Sequence, residues 1–448
     1  MANMLSRRCL VGASAIGGSA FLTSSAQAAF SHPDQTFEGS PRVINIMAAP
    51  YNADPFGNND CAPAFQKALN ALSALGGGMV IVPPGDFALD FPVASYDGSI
   101  TIWGAGKALS VFLVRHAGVA FTFNCSETLQ SIDVHHVGFS PVPTNGGLSG
   151  TALALLFPPG NSGWMHASIS NVDLGVARPG YLCFTTGIKL ANCYRGNFDS
   201  ITMHGNHLLA GTTMFLLTGK CIDNRILNSF VDNMDLGVHV EDACEGLTVS
   251  KTEMITNRAV YTGNSDYGNG VNLLGLYISN CELNCYEVAL PLFQVNTGWI
   301  AATHCGGGAS GAMVSLVKCN NLQLDANLIT GHLNDQDPAQ CTGIETTASV
   351  CCMVDSNLSI NVLTGLVFGP GTTACTSIAS RMVAPGDGSL VAQGYYLKPG
   401  WLLSAFQDNS GNSTNFCQWI SSQGVVPQTP HHSHSHTSYS ADLTKDLQ

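Results

Sequence analysis

The sequence predicts an all-β fold in which short strands stack as successive coils of a solenoid. Segments with apolar residues at alternate positions recur through the middle of the chain at steps of 21 to 30 residues. This spacing is typical of a β-solenoid with variable insertions. The composition agrees, because 48 of the 448 residues are glycine and only 10% are charged, as expected for many short strands joined by tight turns.

The stretch from Tyr51 to Phe87 predicts a short helix followed by a buried strand. Polar residues suited to a helix start come first, then a proline suited to the first turn, then an apolar stripe. These positions are, in order, Asn58, Asn59, Asp60, Pro63, Phe65, Leu69, Leu72 and Leu75. Gly76–Gly78 then ends the helix, and Met79–Val82 forms the strand. Such a helix would cover the open end of a stack of strands.

This stretch resembles the opening of the pectate-lyase-like right-handed parallel β-helix family. The residues that carry the resemblance are Asp60, Gln66, Ala68, Gly77, Gly78, Val80, Pro84, Gly85 and Phe87. The resemblance implies a right-handed parallel β-helix with a short N-terminal capping helix, and a secreted carbohydrate-active protein. Some relatives, such as phage tailspikes, are trimers. A homotrimer is therefore compatible with the family, but no residue of this chain reports its oligomeric state.

The repeat can be followed through six apolar positions taken as coil markers. They are Ile226, Leu247, Leu276, Trp299, Leu322 and Cys352, at steps of 21, 29, 23, 23 and 30 residues. An inward aliphatic side chain on such a strand is buried only when the next coil stacks on it. Asn280, Asn327 and Asn357 follow strands, and we expect them to form a hydrogen-bonded ladder along the stack.

The chain is predicted to begin with an export signal, residues 1–28. Arg7 and Arg8 precede an apolar run, and a small-residue cleavage site ends at Ala28. The paired arginines look like a twin-arginine signal, with an ordinary secretory signal as the alternative. A polar segment over residues 29–50 is expected to lead into a β-helix over 51–370. Closing strands over 371–425 and a disordered His-rich tail over 426–448 follow. We therefore expect a secreted or periplasmic protein.

The charge balance narrows the class of partner. Without Arg7 and Arg8 the chain has 15 basic and 30 acidic side chains. This balance argues against nucleic acid and anionic membranes as partners, and it weakens the case for a strongly polyanionic substrate.

The cysteines are expected to be mostly reduced thiols in the core. The chain has 16 of them, and 15 remain without Cys9, so an odd number cannot all pair within one chain. Cysteine is also a small buried filler in stacked coils. No metal site is predicted, because neither Cys281 with Cys285 nor Cys351 with Cys352 has a convincing zinc-binding spacing.

The densest acidic group lies over two neighbouring coils in the middle of the chain. Asp232, Asp235, Glu241 and Glu253 are its candidate catalytic residues. Glycoside hydrolysis needs one carboxyl group as acid and another as base or nucleophile. Neighbouring strands lie about 4.8 Å apart, so adjacent coils can supply such a pair. Solvated turn residues are the alternative interpretation of this group.

Four further residues are candidates for substrate binding. Arg225 and Arg258 flank the same coils, and Tyr267 and Trp299 follow them. Aromatic rings stack on sugar rings, and Tyr267 lies in a polar insertion, residues 264–270. Positions in the core are the alternative for the aromatic residues.

The sequence therefore predicts an enzyme that cleaves an extracellular polysaccharide with carboxylate acid and base, without a cofactor. One alternative is a uronate lyase acting by β-elimination, for which the resemblance would allow calcium as cofactor. Another is a non-catalytic glycan-binding or structural solenoid. The ordered Asn-Thr-Asp, Asp-Asp and Gly-His-Gly landmarks of polygalacturonases are absent from the chain, and so is a calcium-binding aspartate set of the pectate lyase kind.

Overall fold

The computed structural model describes residues 42–126, 130–142, 149–159, 166–175, 183–263, 273–307, 311–331, 341–360, 362, 364–369, 371–378, 380–383, 406–407 and 413–414. The chain divides into two compact units, Met1–Val43 and Ile44–Gln448. Of the first unit only residues 42 and 43 are described. The predicted export signal and His-rich tail lie outside the described residues and stay predictions.

The second unit is a right-handed parallel β-helix, which confirms the predicted fold class. Among the residues that the structure describes, this unit has the helix α1 (Ala62–Ala74). The strands are β1 (Val43–Asn45), β2 (Phe56–Asp60), β3 (Gly77–Val82), β4 (Gly85–Leu89), β5 (Val93–Tyr96), β6 (Ser99–Gly104), β7 (Ser110–Val114), β8 (Phe121–Asn124), β9 (Ser131–His135), β10 (Gly138–Pro141), β11 (Ser149–Leu156), β12 (His166–Leu174), β13 (Phe184–Ala191), β14 (Asn197–Thr218), β15 (Arg225–Leu227), β16 (Phe230–Val240), β17 (Glu245–Ser250), β18 (Glu253–Thr262), β19 (Leu273–Ser279), β20 (Glu282–Cys285), β21 (Leu290–Phe293), β22 (Val295–Ala301), β23 (His304–Gly307), β24 (Gly311–Val317), β25 (Asn320–Asp325), β26 (Leu328–Gly331), β27 (Cys341–Thr347), β28 (Met353–Asp355), β29 (Leu358–Ile360), β30 (Thr364–Phe368), β31 (Thr376–Ile378), β32 (Arg381–Val383), β33 (Phe406–Gln407) and β34 (Ser413–Thr414).

Three faces run along the solenoid, because each coil contributes three strands in turn. Face 1 consists of β1, β3, β6, β9, the first parts of β12 and β14, β15, β17, β19, β22, β25, β28 and β31. Face 2 consists of β2, β4, β7, β10, the last part of β12, the middle of β14, the first parts of β16 and β18, β20, β23, β26, β29 and β32. Face 3 consists of β5, β8, β11, β13, the last parts of β14, β16 and β18, β21, β24, β27 and β30.

The core is a set of columns in which equivalent residues of successive coils stack. One inward column of face 1 comprises Ile226, Val249, Ile278, Ile300, Leu324 and Val354, all buried. The predicted coil period is therefore confirmed. Two of the six predicted coil markers, Ile226 and Trp299, are not in register with the markers next to them. Ile226 pairs with Val249 and not with Leu247. Trp299 pairs with Tyr277 on the outer surface and is 43% exposed, whereas its neighbour Gly298 occupies the inward column of Leu276.

Helix α1 covers the N-terminal end of the stack, as predicted. The ring of Phe65 packs edge-on against Phe87, Phe112 and Phe121, with centroids 5.1 to 6.0 Å apart. Gln66 forms two hydrogen bonds with the backbone of β5, the first strand of face 3. Its Nε2 donates to Ala94 O, and its Oε1 accepts from Ala94 N. A side-chain amide thus takes the place of a further coil at an edge that would otherwise be open to pairing.

The predicted ends of α1 differ in detail from the structure. Asn58 and Asn59 belong to strand β2, and Cys61 is the N-cap without a side-chain capping bond. Asp60 nevertheless accepts a hydrogen bond from Ala62 N at 3.0 Å. At the other end Leu75 follows the helix and is 42% exposed, so the apolar stripe ends at Leu72.

The corner between faces 1 and 2 is a single residue in the left-handed region in nine successive coils. Its φ angles lie between 49° and 59° at His136, Asn171, Ser200, Asn228, Lys251, Asn280, Ala302, Ala326 and Ser356. Non-glycine residues rarely adopt this conformation, and here it recurs because a one-residue corner keeps the strands of both faces in register. Asn280 is one of these exposed corner residues, and the predicted ladder role is wrong for it.

The polar ladder is formed instead by residues that directly follow the corner residues. Asn327 donates to Asn357 Oδ1 at 2.9 Å, and Thr303 N donates to Asn327 Oδ1 at 3.1 Å. Both asparagines are buried, so these bonds satisfy amide groups that would otherwise cost about 1–3 kcal/mol each. The predicted ladder is confirmed for Asn327 and Asn357.

The thirteen cysteines whose bonding the structure describes form no disulfide, in agreement with the expectation of mostly reduced core thiols. Of these thirteen, only Cys351 is exposed. Burial raises the pKa of several of these thiols, for example that of Cys285 to about 12, so they remain protonated core fillers. Among the described residues no helix is long and apolar enough to cross a membrane.

Candidate active site

The predicted site residues are distributed over all three faces. Arg225 and Trp299 lie on the outer surface of face 1. Asp232 and Glu253 lie on face 2. Glu241 and Arg258 belong to face 3, where Arg258 pairs in register with Leu236 and Glu241 follows β16. Tyr267 lies outside the described residues and stays a prediction.

Asp235 is a structural residue at the corner between faces 2 and 3. It is 9% exposed, and its carboxylate accepts hydrogen bonds from Gly211 N at 2.8 Å and Asn257 Nδ2 at 3.0 Å. Its own N–H donates to Thr212 Oγ1 at 3.0 Å. Both carboxylate oxygens are therefore engaged in holding three neighbouring coils together.

Asp232 instead belongs to a polar cluster that crosses four coils of face 2. We name it the face-2 cluster, and its members are Lys107, Asp173, Thr202, His204 and Asp232. His204 Nδ1 lies 3.0 Å from Asp232 Oδ1, which is its in-register neighbour on the next coil. Thr202 is the in-register neighbour of Asp173. The four strand residues therefore form a diagonal patch over three successive coils on the outer surface.

Lys107 joins this patch from a distant part of the chain. It follows the Gly104–Gly106 turn after β6, and its Nζ bonds Thr202 Oγ1 at 2.8 Å. The connection spans 95 residues of sequence. The cluster thus contains a cation beside two carboxyl groups and an imidazole.

The environment shifts the pKa values of two members of the face-2 cluster. Burial raises the pKa of Asp173, and the charges of His204 and Lys107 oppose this shift only in part. Asp173 Oδ1 is buried and accepts no hydrogen bond from the described chain. The hydrogen bond to Asp232 raises the pKa of His204 against the effect of burial. A carboxyl group with a raised pKa beside a hydrogen-bonded Asp–His pair is an arrangement suited to acid–base chemistry.

A second polar cluster lies on face 3, and we name it the face-3 cluster: His239, Glu241, Arg258, Tyr261 and Glu287. The rings of His239 and Tyr261 are in-register neighbours with centroids 5.0 Å apart. Arg258 lies over the Tyr261 ring at 5.6 Å, and its Nε donates to Glu287 Oε2 at 2.9 Å. Glu241 lies 3.8 Å from His239 Nδ1.

The long connections of the solenoid lead into or out of face 3. Between β8 and β32 they are residues 142–148, 157–165, 175–183, 263–272 and 332–340. Loops on a rigid scaffold commonly carry binding residues. Because the long connections adjoin the strands of face 3, the face-3 cluster is the second candidate site.

Sequence reasoning identified Asp232 but not Asp173, Lys107 or His204 as its partners. Lone histidines and aspartates carry no local signal. The repeat contained a usable signal, because His204 and Asp232 are 28 residues apart, which is one coil. Among the described residues no group of His, Cys, Asp and Glu has the arrangement of a metal site.

Comparison with known proteins supports the fold. Neither a protein-family model nor a curated protein sequence matches the chain. Among solved structures, the A-module of a mannuronan C-5 epimerase from Azotobacter vinelandii matches with a TM-score of 0.63 at 14% identity, over 82% of this chain and 99% of that one. The Dettilon tailspike protein matches with a TM-score of 0.55 at 15% identity, over 75% and 68%.

A DFA-IIIase from Arthrobacter chlorophenolicus A6, in complex with GF2, matches with a TM-score of 0.54 at 15% identity, over 79% and 96%. At these identities the three matches show that the chain shares the right-handed parallel β-helix fold. A shared fold does not by itself assign an activity.

Proposed function

We propose that this protein is an extracellular carbohydrate-active enzyme that hydrolyses glycosidic bonds of a polysaccharide at the face-2 cluster. The observation that carries the proposal is the placement of Asp173 on the same outer surface as the His204–Asp232 pair, with a buried Oδ1 that has no hydrogen-bond partner among the described residues. The named activities of the structural neighbours, an epimerase acting on mannuronan and a DFA-IIIase, support a carbohydrate as substrate.

Each residue has a defined task in this proposal. Asp173 is the general acid, because burial raises its pKa and so favours its protonated form, and it donates its proton to the glycosidic oxygen as the C–O bond breaks. Asp232 is oriented by its hydrogen bond to His204 and takes a proton from the water that attacks the anomeric carbon. Lys107 fixes Thr202 beside the cleaved bond.

The register predicts an inverting outcome. Asp173 and Asp232 lie two coils and two residues apart, which corresponds to about 12 Å between their backbones. Retaining enzymes need carboxyl groups only about 5 Å apart, whereas inverting enzymes leave room for a water molecule.

The test is reducing-end release from a panel of polysaccharides by the wild-type protein and by Asp173→Asn and Asp232→Asn. The matched control is Asp325→Asn, a half-buried outward carboxylate on face 1. We expect both face-2 variants to lose activity and the control to keep it. Equal activity in all three variants would exclude the face-2 cluster as the catalytic site.

The second candidate function is β-elimination or epimerisation of a uronate polymer at the face-3 cluster. The observation that favours it is the cation Arg258 beside the neighbouring rings of His239 and Tyr261, because this chemistry needs a base and a group that neutralises the uronate carboxylate. The salt bridge to Glu287 counts against it, since the cation already has an anionic partner.

The same panel separates the candidates. Unsaturated products that absorb ultraviolet light, abolished by Tyr261→Phe and not by Asp173→Asn, would favour elimination at face 3. Release of reducing ends without such absorbance would favour hydrolysis. Binding of a glycan with no product would favour the non-catalytic alternative. Repeating the assay after treatment with a chelator tests the calcium that the lyase alternative allows.

A further inference from the structure

A row of three exposed side chains lies on the outer surface of face 1, which carries neither of the two clusters described above. Tyr277, Trp299 and Gln323 are in-register neighbours on β19, β22 and β25. All three are exposed, and each of the two aromatic residues is 43% exposed. We name them the face-1 row. Because neighbouring strands lie about 4.8 Å apart, the row extends about 10 Å along the solenoid axis.

The side chains of the face-1 row are not engaged by the part of the chain that the structure describes. Within that part, neither ring contacts another aromatic ring or a cation, and none of the three side chains forms a hydrogen bond. Trp103 differs, although it is also 43% exposed on face 1, because its ring packs against His135 and His136 with centroids 5.2 and 4.9 Å away. An exposed ring without such a partner leaves its apolar surface available to a ligand.

The ring of Tyr277 lies over a glycine of its own strand. A Cβ atom at Gly275 would be 3.4 Å from both Cε2 and Oη of Tyr277. Gly275 has a φ of 88°, in the left-handed region that favours glycine. The backbone therefore supports one edge of the ring, and the ring is in place before any ligand binds. A surface that is already ordered loses little conformational freedom on binding.

The surroundings of the face-1 row indicate an uncharged ligand with both apolar and hydrogen-bonding groups. Its outward neighbours in the same column are Thr248 and Met353, and neither is charged. The nearby carboxylate of Asp325, two residues after Gln323 on β25, disfavours an anionic polymer. The Gln323 amide separates Trp299 from Met353, so the apolar surface is interrupted, whereas a protein partner would favour a continuous apolar patch. Sugars match this pattern, because their C–H faces stack on aromatic rings and their hydroxyl groups bond to amides.

We propose that the face-1 row is a non-catalytic binding site for a neutral polysaccharide. Successive sugar rings stack on Tyr277 and Trp299, and the Gln323 amide bonds a hydroxyl group of the next sugar residue. The glycan lies parallel to the solenoid axis, because the three side chains are aligned along it. The inference rests on the proposed function only for the carbohydrate class of its ligand. The row holds the enzyme on the polymer, and cleavage takes place on face 2.

The experiment measures binding by native electrophoresis of the full chain through gels that contain a soluble neutral glucan, a neutral fructan or mannuronan as the anionic comparison. All proteins carry Asp173→Asn to prevent cleavage. To this background we add Trp299→Ala, Tyr277→Ala or Gln323→Ala, and Trp299→Phe restores an aromatic ring. The matched control is Trp103→Ala, because Trp103 is equally exposed on face 1 but is engaged by two histidine rings.

We expect at least one neutral polymer to retard the background protein more than mannuronan does. Truncation of either ring should weaken this binding about 5- to 30-fold, as for an aromatic anchor at a binding surface. Gln323→Ala should weaken it about 5-fold, as for one lost hydrogen bond. Trp299→Phe should keep most of the affinity, and Trp103→Ala should bind like the background protein. Because all of these side chains are exposed, thermal unfolding should be unchanged.

Several results would overturn the site. Equal retardation of the row variants and the control, or no retardation of any protein, would do so while leaving hydrolysis at Asp173 intact. Stronger retardation by mannuronan than by both neutral polymers would overturn the uncharged ligand. Light scattering that shows an oligomer for the wild type and a monomer for Trp299→Ala, with equal glycan binding, would make the row a contact between copies. Weaker binding by the row variants of a protein that cleaves no polysaccharide would support the row and refute the proposed function.

Discussion

The substitution Asp173→Asn separates catalysis from stability within the face-2 cluster. Asparagine is nearly isosteric with aspartate but can neither hold nor donate the carboxyl proton. Loss of a general acid lowers the rate about 10²- to 10⁴-fold, which raises the barrier by about 3–5 kcal/mol. The substitution should therefore abolish most product release from any polysaccharide that the wild-type protein cleaves.

The same substitution should leave the fold intact or make it more stable. Asp173 is half-buried and its Oδ1 has no hydrogen-bond donor among the described residues, so its ionised form is costly to bury. A neutral amide removes the cost of burying that charge, and we expect a gain of about 1 kcal/mol from the usual cost of an unsatisfied buried group.

The sign of the pH dependence follows from the raised pKa of Asp173. A group whose pKa is higher in the folded than in the unfolded protein contributes stability below its unfolded value, near 3.8, and loses it as the pH rises through the folded value. The variant should therefore gain most over the wild type at pH values above the folded pKa of Asp173, and least below about pH 4.

Thermal unfolding of both proteins across this pH range, together with product release at neutral pH, tests the reasoning. A variant that keeps more than a tenth of wild-type activity would refute the acid role. A variant that melts well below the wild type at neutral pH would show that the carboxylate is stabilising, and the account of its burial would then be wrong.

Three further outcomes follow from the structure. Gln66→Ala should lower the free energy of unfolding by about 1–3 kcal/mol, because both backbone groups of Ala94 lose their partner, and light scattering should reveal aggregation through the open edge. The imidazole of His204 should titrate above 6.5 by NMR, and Asp232→Asn should lower its pKa, since the carboxylate bond is the main cause of the shift. Asp235→Ala should destabilise the protein by about 1–3 kcal/mol in denaturant unfolding, because its two donors lose their acceptor.

Each of these outcomes has a contrary result. Normal solubility and stability of Gln66→Ala would show that α1 covers the end by apolar packing alone. The His204–Asp232 pair should contribute stability below about pH 6.5 that fades as the pH rises through the folded pKa of His204; a loss on acidification instead would contradict the assignment. An Asp235→Ala protein with wild-type stability but no activity would return Asp235 to the candidate catalytic residues.

Much of the fold was predictable because its signals are local. The apolar stripe of α1, the glycines after it and the recurrent alternating segments each lie within one coil, and each reports the face that it buries. The buried Asn327 and Asn357 were predictable for the same reason, because polar residues that recur at the ends of successive strands stack on each other in adjacent coils.

The candidate site was predictable only in part. Asp232 and Asp235 are three residues apart, yet a corner separates them, and one faces outward beside His204 whereas the other is buried in a hydrogen-bonded corner. The register marker Trp299 was wrong by one residue, which moved it from the core to the surface. A shift of one residue reverses the face of every side chain on a strand.

The sequence by itself determined that the chain coils into a stack of short strands with a helix over one end, because burial of apolar side chains has a period that can be counted along the chain. Only the tertiary structure decided which polar residues meet. Asp173, His204 and Asp232 come from three different coils, and Lys107 reaches them from a fourth. Whether these side chains lie close together depends on the length of every connection between their strands. Those lengths vary and follow no period that can be read from the sequence.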